Sequence, residues 1–315
     1  MRVLVAGATG VIGRQLTPLL ASVGHEVFAF SRPGKPGSAV EDLGARAVVG
    51  DLLDANGVAQ AVRNLRPEAV VHMATAIPAQ INPRKMASDF AMTNRLRTEG
   101  TRNLLAAAHE VGVQRVISQG LAYAYDPNGN GLANEDAPLW LNPPKQFAPV
   151  LDALRELEQQ TTTAGGLVLR FGHLYGPGSI YAADGSFTQQ VRAGKVPLVG
   201  GGTSVFSFTH AHDAATAVVA ALDKDVTGVL NIVDDEPSPM SVWLPEFADL
   251  LGAKKPKAAP AFMAKMAVGE WGVAFMTRLR GADGARAQLT LDWKPRYGSW
   301  RTGFAEELGA AAKRG

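Results

Sequence analysis

The sequence predicts an α/β fold, a doubly wound parallel sheet followed by a small, mostly helical C-terminal lobe. Three observations carry this. Short β-branched runs alternate with longer stretches of helical spacing. A glycine-rich turn directly follows the first run. After about residue 176 the alternation fades, and the tail collects most of the Trp and Met. Strands alternating with helices need right-handed crossovers, which give a parallel sheet covered on both faces.

Taken in order, RVLVAG (2–7), EVFAFS (26–31), ARAVVG (45–50), AVVHMA (69–74), RVISQ (115–119) and GLVLRF (166–171) read as strands. Between them, GRQLTPLLASVG, DANGVAQAVRNL, TNRLRTEGTRNLLAAAHEVG and VLDALRELEQQTTTAG have helical spacing and end at Gly or before Pro. Two long loops, DPNGNGLANEDAPLWLNPPK (126–145) and GPGSIYAADG (176–185), follow predicted strands at the sheet edge where ligands bind. The most apolar late segment runs from Ala261 to Met276 and is interrupted by Lys265 and Glu270. It reads as a buried helix rather than a membrane contact.

Composition narrows the function classes. The 315 residues are 46% apolar and 19% charged, an ordinary globular balance. Lys and Arg total 31 against 29 Asp and Glu, with no basic run, so a nucleic-acid partner is not expected. The absence of cysteine excludes disulfides, thiolate chemistry and Cys-ligated metal. No window approaches about 18 uninterrupted apolar residues, and the first strand begins at once. No membrane partner and a cytoplasmic location are the expectations.

The glycine turn is the first chemical signal. Gly7, Gly10 and Gly13 form GxxGxxG after a strand and at the start of a helix. Gly7 permits a tight turn, Gly10 lets backbone N–H groups approach a pyrophosphate, and Gly13 allows close helix–strand packing. A Rossmann-type dinucleotide site follows, with Thr9, Val11, Ile12 and Arg14 completing the cradle. At the end of the second strand an acidic residue would bind a ribose 2′-hydroxyl. Here FSRPGK puts Ser31 and Arg32 there, a pair suited to a 2′-phosphate, so NADP(H) is the expected cofactor. Asp51 and Leu52, in GDLLD, are placed at the adenine. Ala74, Thr75 and Ala76 are small enough for the cofactor to lie across the strand ends. Residues 1–175 then form the dinucleotide-binding domain, its sheet completed by segments of about 203–233. Residues 176–202 and 234–315 form the smaller substrate-binding lobe.

These motifs, with EGTRNLL, LRFGHLYGPG, FTHAHDAATAV, GVLNIVDDEP and DWKPRY (292–297), stand in the order seen in one family. The chain resembles the extended short-chain dehydrogenase/reductases, the NAD-dependent epimerase/dehydratase group. The resemblance covers nearly the whole chain and implies a seven-stranded sheet. It also implies a Ser or Thr after the fifth strand and a Tyr-x-x-x-Lys on the next helix. In the family the Tyr moves a proton at the substrate oxygen and the Lys lowers its pKa.

This chain departs there. Tyr123, Tyr125, Tyr175, Tyr181 and Tyr297 are followed four residues later by Pro127, Gly129, Ser179, Gly185 and Arg301. The helix expected to carry the pair, FAPVLDALRELEQQ, has neither Tyr nor Lys. Four catalytic candidates remain. Ser118, also a cofactor contact, lies slightly early, with Gly120 near the expected hydroxyl. Tyr123 and Tyr125 follow the fifth strand, with Lys145 as a conceivable cationic partner. His173 follows the sixth strand, in a segment whose backbone (Phe171, Gly172) faces the nicotinamide in the family. Its imidazole titrates near neutrality, which makes it the preferred proton donor. His210, His212 and Asp213 are assigned structure rather than metal, since their spacing is short and no further ligand is evident.

The leading expectation is an NADP(H)-dependent oxidoreductase acting on a small organic carbonyl or enol/enone through a non-standard proton donor. A sugar-nucleotide epimerase/dehydratase and a non-catalytic NADP-binding regulator are the alternatives. The resemblance also implies a homodimer through helices at roughly 94–112 and 148–164.

Overall fold

The computed structural model describes residues 1–312 apart from 33, 35 and 36. Its centre is a seven-stranded sheet of β1 (Arg2–Ala6), β2 (Glu26–Ser31), β3 (Arg46–Val49), β4 (Ala69–His72), β5 (Arg115–Leu121), β6 (Leu167–Phe171) and β7 (Gly228–Ile232). Every pairing is parallel, and the spatial order is β7-β6-β5-β4-β1-β2-β3. The order reverses between β1 and β4, which opens a crevice at their carboxyl ends.

Side chains alternate across the strands, and those of the inner strands are buried on both faces, as covered parallel sheets require, while edge strand β3 is only partly covered. Val3 and Val5 pack with α1 (Gly13–Ser22), while Leu4 and Ala6 pack with α2 (Ala55–Leu65) and α3 (Thr101–Val111). Helix α4 (Ala148–Thr163) lies against β5 and β6. The helix expected over TNRLRTEGTRNLL is interrupted. Ala91–Arg95 is α-helical, Leu96–Gly100 is a π-helical turn, and α3 follows. Such turns rotate the side chains that follow and cluster at functional sites.

Of the 203–233 region only β7 joins the main sheet. Val205–Phe206 and Phe208–His210 form short ladders with Ser238–Pro239 and His173–Tyr175. These ladders seat the helical lobe, whose core gathers Tyr181, Phe206, Phe208, Trp243, Phe247 and Phe304. The lobe is tied back to the sheet domain by Asp213, which caps the backbone N–H groups of Arg296 and Tyr297 at 2.8 and 3.0 Å. Arg280 fixes the 126–145 loop, donating to the carbonyls of Gly131 and Asn130 at 2.7 and 2.8 Å.

The late apolar segment is not the buried helix expected from its hydropathy. Ala261–Thr277 kinks at Gly269, where φ is 74°. Beyond the kink Trp271 and Ala274 are buried, whereas Phe262 and Met266 are 73% and 75% exposed. The positive φ turns the first half of the helix off the lobe, a conformation that glycine permits. No helix among the described residues is long and apolar enough to cross a membrane.

Candidate active site

The glycine turn is shaped by what surrounds it. Gly7 has φ +94°, and a Cβ there would lie 2.6 Å from the Met73 carbonyl carbon on β4's exit. A Cβ on Gly13 would lie 2.2 Å from the Gly7 oxygen. A Cβ on Gly10 would meet only that oxygen, at 3.3 Å, so the outer side of the turn is open. The positive end of the α1 dipole lies at this turn, the arrangement that attracts phosphate, while the Arg14 and Gln15 N–H groups are bonded to the Gly10 and Ile12 carbonyls at 3.0 Å. Arg14 Nε donates to the Thr9 carbonyl at 2.8 Å and braces the turn; Thr9, Gly10 and Arg14 are exposed. Val11 is partly exposed, while the Ile12 side chain belongs to the core.

The rest of the crevice is built from small or backbone groups. Ser31 is buried at the end of β2 and Arg32, next to it, is exposed. Asp51 accepts the Leu53 N–H at 3.0 Å in a turn, with its second oxygen free of that bond. Leu52 is buried beneath it. Ala74 and Ala76 are partly exposed and Thr75 exposed, and the Ala76 N–H is fixed on Thr93 Oγ1 at 3.0 Å. These residues fit an extended dinucleotide lying across the carboxyl ends of β1, β2 and β4. Phe171 offers only backbone, since its side chain is core, and Gly172 packs against the Ser207 carbonyl.

The four catalytic candidates separate. Ser118 is 1% exposed and three residues below the end of β5, about 10 Å down the strand. Its Oγ accepts from Thr161 Oγ1 at 2.9 Å, so it packs sheet against α4 and does not reach the strand ends. Tyr125 is likewise held away. Its hydroxyl donates to Asn231 Oδ1 at 2.6 Å and accepts from Arg170 Nη1 at 2.8 Å. Tyr123 and His173 do meet, with rings stacked at 4.3 Å and 13°. Phe206 covers the other face of His173 at 4.1 Å.

That stack changes the expected role of His173. Burial among aromatic rings pushes its pKa down to about 3, so it is neutral at physiological pH, and its Nε2 has no hydrogen-bond partner. It cannot deliver a proton as imidazolium. Tyr123 is left as the hydroxyl at this end. Lys145 is not its partner: it lines a separate surface cavity of about 480 Å³ with Lys265, Glu270 and Arg278.

Helix α4 presents a buried ridge to the sheet. Glu158 faces β6 and holds Arg170, and on the same ridge, one and two turns earlier, stand Leu154 and Val150. Both are fully buried and apolar. Four residues apart, they have the Tyr-to-Lys spacing without the chemistry.

Sequence reasoning missed Arg97, in the π-helical turn. It is 2% exposed, and its Nη1 has no partner among the described residues. The signal was present: Thr93, Arg97 and Thr101 recur every four residues and share one buried stripe.

The histidines near α5 (Ala211–Leu222) take structural roles. His210 caps that helix by accepting the His212 N–H, and its other ring nitrogen lies 3.1 Å from Glu307. The apolar positions of α3 and α4 pack within the chain itself, leaving Arg102, Glu110, Asp152 and Gln159 outward.

The sequence profile of the NAD dependent epimerase/dehydratase family matches residues 3–233. The chain belongs to this family. Among its relatives, a 3-diazoavenalumate denitrifying reductase from a Streptomyces species is 44% identical over 98% of this chain and 100% of its own. A 2-alkyl-3-oxoalkanoate reductase of Stenotrophomonas maltophilia is 24% identical over 85% and 81%. Of solved structures, MoeE5 in complex with UDP-glucuronic acid and NAD superposes with TM-score 0.75 at 26% identity over both whole chains. The UDP-glucose 4-epimerase of Thermotoga maritima gives TM-score 0.80 at 21% identity, covering 100% and 99%, a likeness of fold. The family is NAD-dependent, and a reductase as similar as the Streptomyces one supports an oxidoreductase.

Proposed function

We propose that this chain is an NADP(H)-dependent reductase whose acceptor is a planar, already electrophilic organic molecule. The observation that carries it is the α4 ridge, where Val150 and Leu154 stand buried at the spacing of the family's Tyr and Lys. Gly7, Gly10, Gly13, Arg14 and the ends of β1, β2 and β4 would hold the dinucleotide, with Ser31 and Arg32 at its 2′-phosphate. Bound there, the reduced cofactor supplies a hydride.

The chain's own residues then bind and orient the acceptor. His173 and Phe206 back Tyr123 in a face-to-face aromatic stack, and a flat ring would stack on the outer face of Tyr123. Neutral His173 keeps that stack uncharged, and the Tyr123 hydroxyl is the polar handle. Burial raises the Tyr123 pKa more than nearby Arg97 lowers it, so this phenol is poorly equipped to protonate an ordinary ketone's oxygen. An acceptor that brings its own positive charge makes no such demand.

The name of the Streptomyces relative specifies a diazo group, a carboxylate, a reduction and loss of nitrogen. An aryldiazonium that gains hydride and loses dinitrogen ends as the arene, with charge and atoms balanced and no proton required of the protein. An electron-poor enone is the second acceptor: hydride gained at its β-carbon leaves an enolate, whose oxygen the Tyr123 hydroxyl would hydrogen-bond while solvent supplies the proton at carbon. Homodimerisation and a cytoplasmic location belong to the same reading.

The test is purified protein with NADPH or NADH and three acceptors: an aryldiazonium carboxylate, an enone and a simple ketone. NADPH oxidation with stoichiometric dinitrogen release from the diazonium is expected, with the ketone slowest. A ketone turned over as well as the diazonium would overturn the reading of the site.

A further inference from the structure

Arg97 is a buried charged group that the reading above leaves without a role. Its placement follows from the π-helical turn Leu96–Gly100. That turn lies over the carboxyl end of β4, since the His72 ring is hydrogen-bonded to the Leu96 carbonyl at 3.2 Å. On its other side it is covered by α4, where Gln160 reaches the Thr98 carbonyl at 3.5 Å. β4 and β5 are adjacent, with His72 opposite Ser118. The guanidinium is therefore enclosed between the ends of β4 and β5 and the helix that lacks the family's lysine.

A guanidinium is charged throughout the working pH range and carries five donors. Enclosed without a counter-ion it is strongly unfavourable, and proteins keep such groups where an anion arrives to pair with them. Arg97 is 2% exposed with Nη1 unsatisfied. His72, also facing it, is neutral because burial holds its pKa down to about 4, so it adds no second positive charge. The acidic group that does face Arg97 is the Tyr123 phenol; burial raises the phenol's pKa and Arg97 pulls it back. Tyr123 in turn stacks on His173, and the acceptor is placed on its outer face.

We infer that Arg97 and the Tyr123 hydroxyl together form a binding site for an anionic oxygen, carboxylate or ionised phenol, carried by an aromatic acceptor. The inference rests on the reductase reading for the acceptor's position, but the binding itself needs no turnover. Arg97 supplies the charge and Tyr123 a directed O–H. Within a low-dielectric enclosure such charge-assisted hydrogen bonds discriminate strongly between an anion and its neutral isostere.

The experiment is equilibrium binding to the full chain saturated with NADP+, read by tryptophan fluorescence and calorimetry. One arm compares 4-hydroxycinnamate with its methyl ester; the other compares 4-nitrophenolate with 4-nitroanisole. Wild type should prefer at least one anion over its neutral partner by about tenfold or more. The arm showing the preference tells carboxylate from phenolate. Arg97→Met should erase the preference, leaving affinity for the neutral probes and for NADP+ within about twofold.

Arg97→Lys, which keeps the charge but loses the fork, should retain a weakened preference, and it decides the matter if the Met variant does not fold. Tyr123→Phe should weaken the anion only. An anion preference absent in wild type, or undiminished in both Arg97 variants, overturns the inference. So does a large loss of NADP+ affinity in them, which would assign Arg97 to the cofactor. A chain that binds the anion through Arg97 yet reduces nothing sinks the reductase reading and leaves this site standing.

Discussion

Glu158 grips Arg170 in a bidentate pair, Oε1 to Nε at 2.7 Å and Oε2 to Nη2 at 2.6 Å, and this pair locks α4 onto β6. Arg170 passes the lock on to Tyr125 and thence to Asn231 on β7. The chain of contacts fixes the rotation of α4 and therefore which of its residues face the crevice.

Breaking that pair from one side should be costly. Glu158→Ala leaves a buried guanidinium without its carboxylate, and a loss of about 3–5 kcal/mol is expected from chemical denaturation. Replacing both residues with Met should cost clearly less than the sum of the single changes, because no charge is then left unpaired. Additive losses would count against the pair as the lock.

The two tyrosines should part company. Tyr125→Phe strands Asn231 Oδ1 and Arg170 Nη1, for about 1–3 kcal/mol of stability, with kcat/KM unchanged in the folded fraction. Tyr123→Phe should leave the melting temperature in place. It should lower kcat/KM about tenfold or more for an enone, whose oxygen needs a donor, and far less for a diazonium. Equal losses on both acceptors would remove Tyr123 from that role.

Stability should peak near pH 6.5. Burial lowers His72 to about 4, His173 to about 3 and His210 to about 4, and lowers His25 in the same sense. Below about pH 6.5 the unfolded chain takes up protons that the folded chain refuses, so stability falls as pH drops towards 4, by about 1.4 kcal/mol per unit for each of the buried His72, His173 and His210. Asp234 works the other way. Burial raises it to about 8, so the folded chain keeps a proton that the unfolded chain has lost above about pH 4, and stability declines as pH rises towards 8. Between 4 and 6.5 the histidines outnumber it; above 6.5 it acts without them. Urea titrations across that range check the shape, and Asp234→Asn should flatten the alkaline limb.

Cofactor choice should follow Arg32. Arg32→Asp places a carboxylate where a 2′-phosphate is expected, so NADPH should bind at least about tenfold more weakly while NADH holds or gains. Cofactor fluorescence titrations measure both. An unchanged NADPH affinity would move the 2′-phosphate elsewhere.

Much of the fold was written in periodicity. The runs at 2–7, 26–31, 45–50, 69–74, 115–119 and 166–171 alternate or are continuously apolar because the inner strands are buried on both faces and the edge strand at 45–50 is covered only in part. Gly7 and Gly13 were legible for the same local reason: the conformation and closeness their positions demand exclude a side chain. The failures share a cause as well. The hydropathy of Ala261–Thr277 carries no record of the positive φ at Gly269 that turns Phe262 outward. The appeal of His173 lay in its free-solution pKa, which says nothing of the rings that desolvate it.

By itself, the sequence determined the βαβ order, the glycine turn and the absence of any Tyr with a Lys four residues on. These are properties of residue type and spacing along the chain. Only the tertiary structure decided that Tyr123 meets His173, that Tyr125 and Ser118 are spent on packing, and that Arg97 is enclosed with an unpaired Nη1. Those depend on which side chains share a desolvated space, and that is set by contacts between strands and helices far apart in sequence.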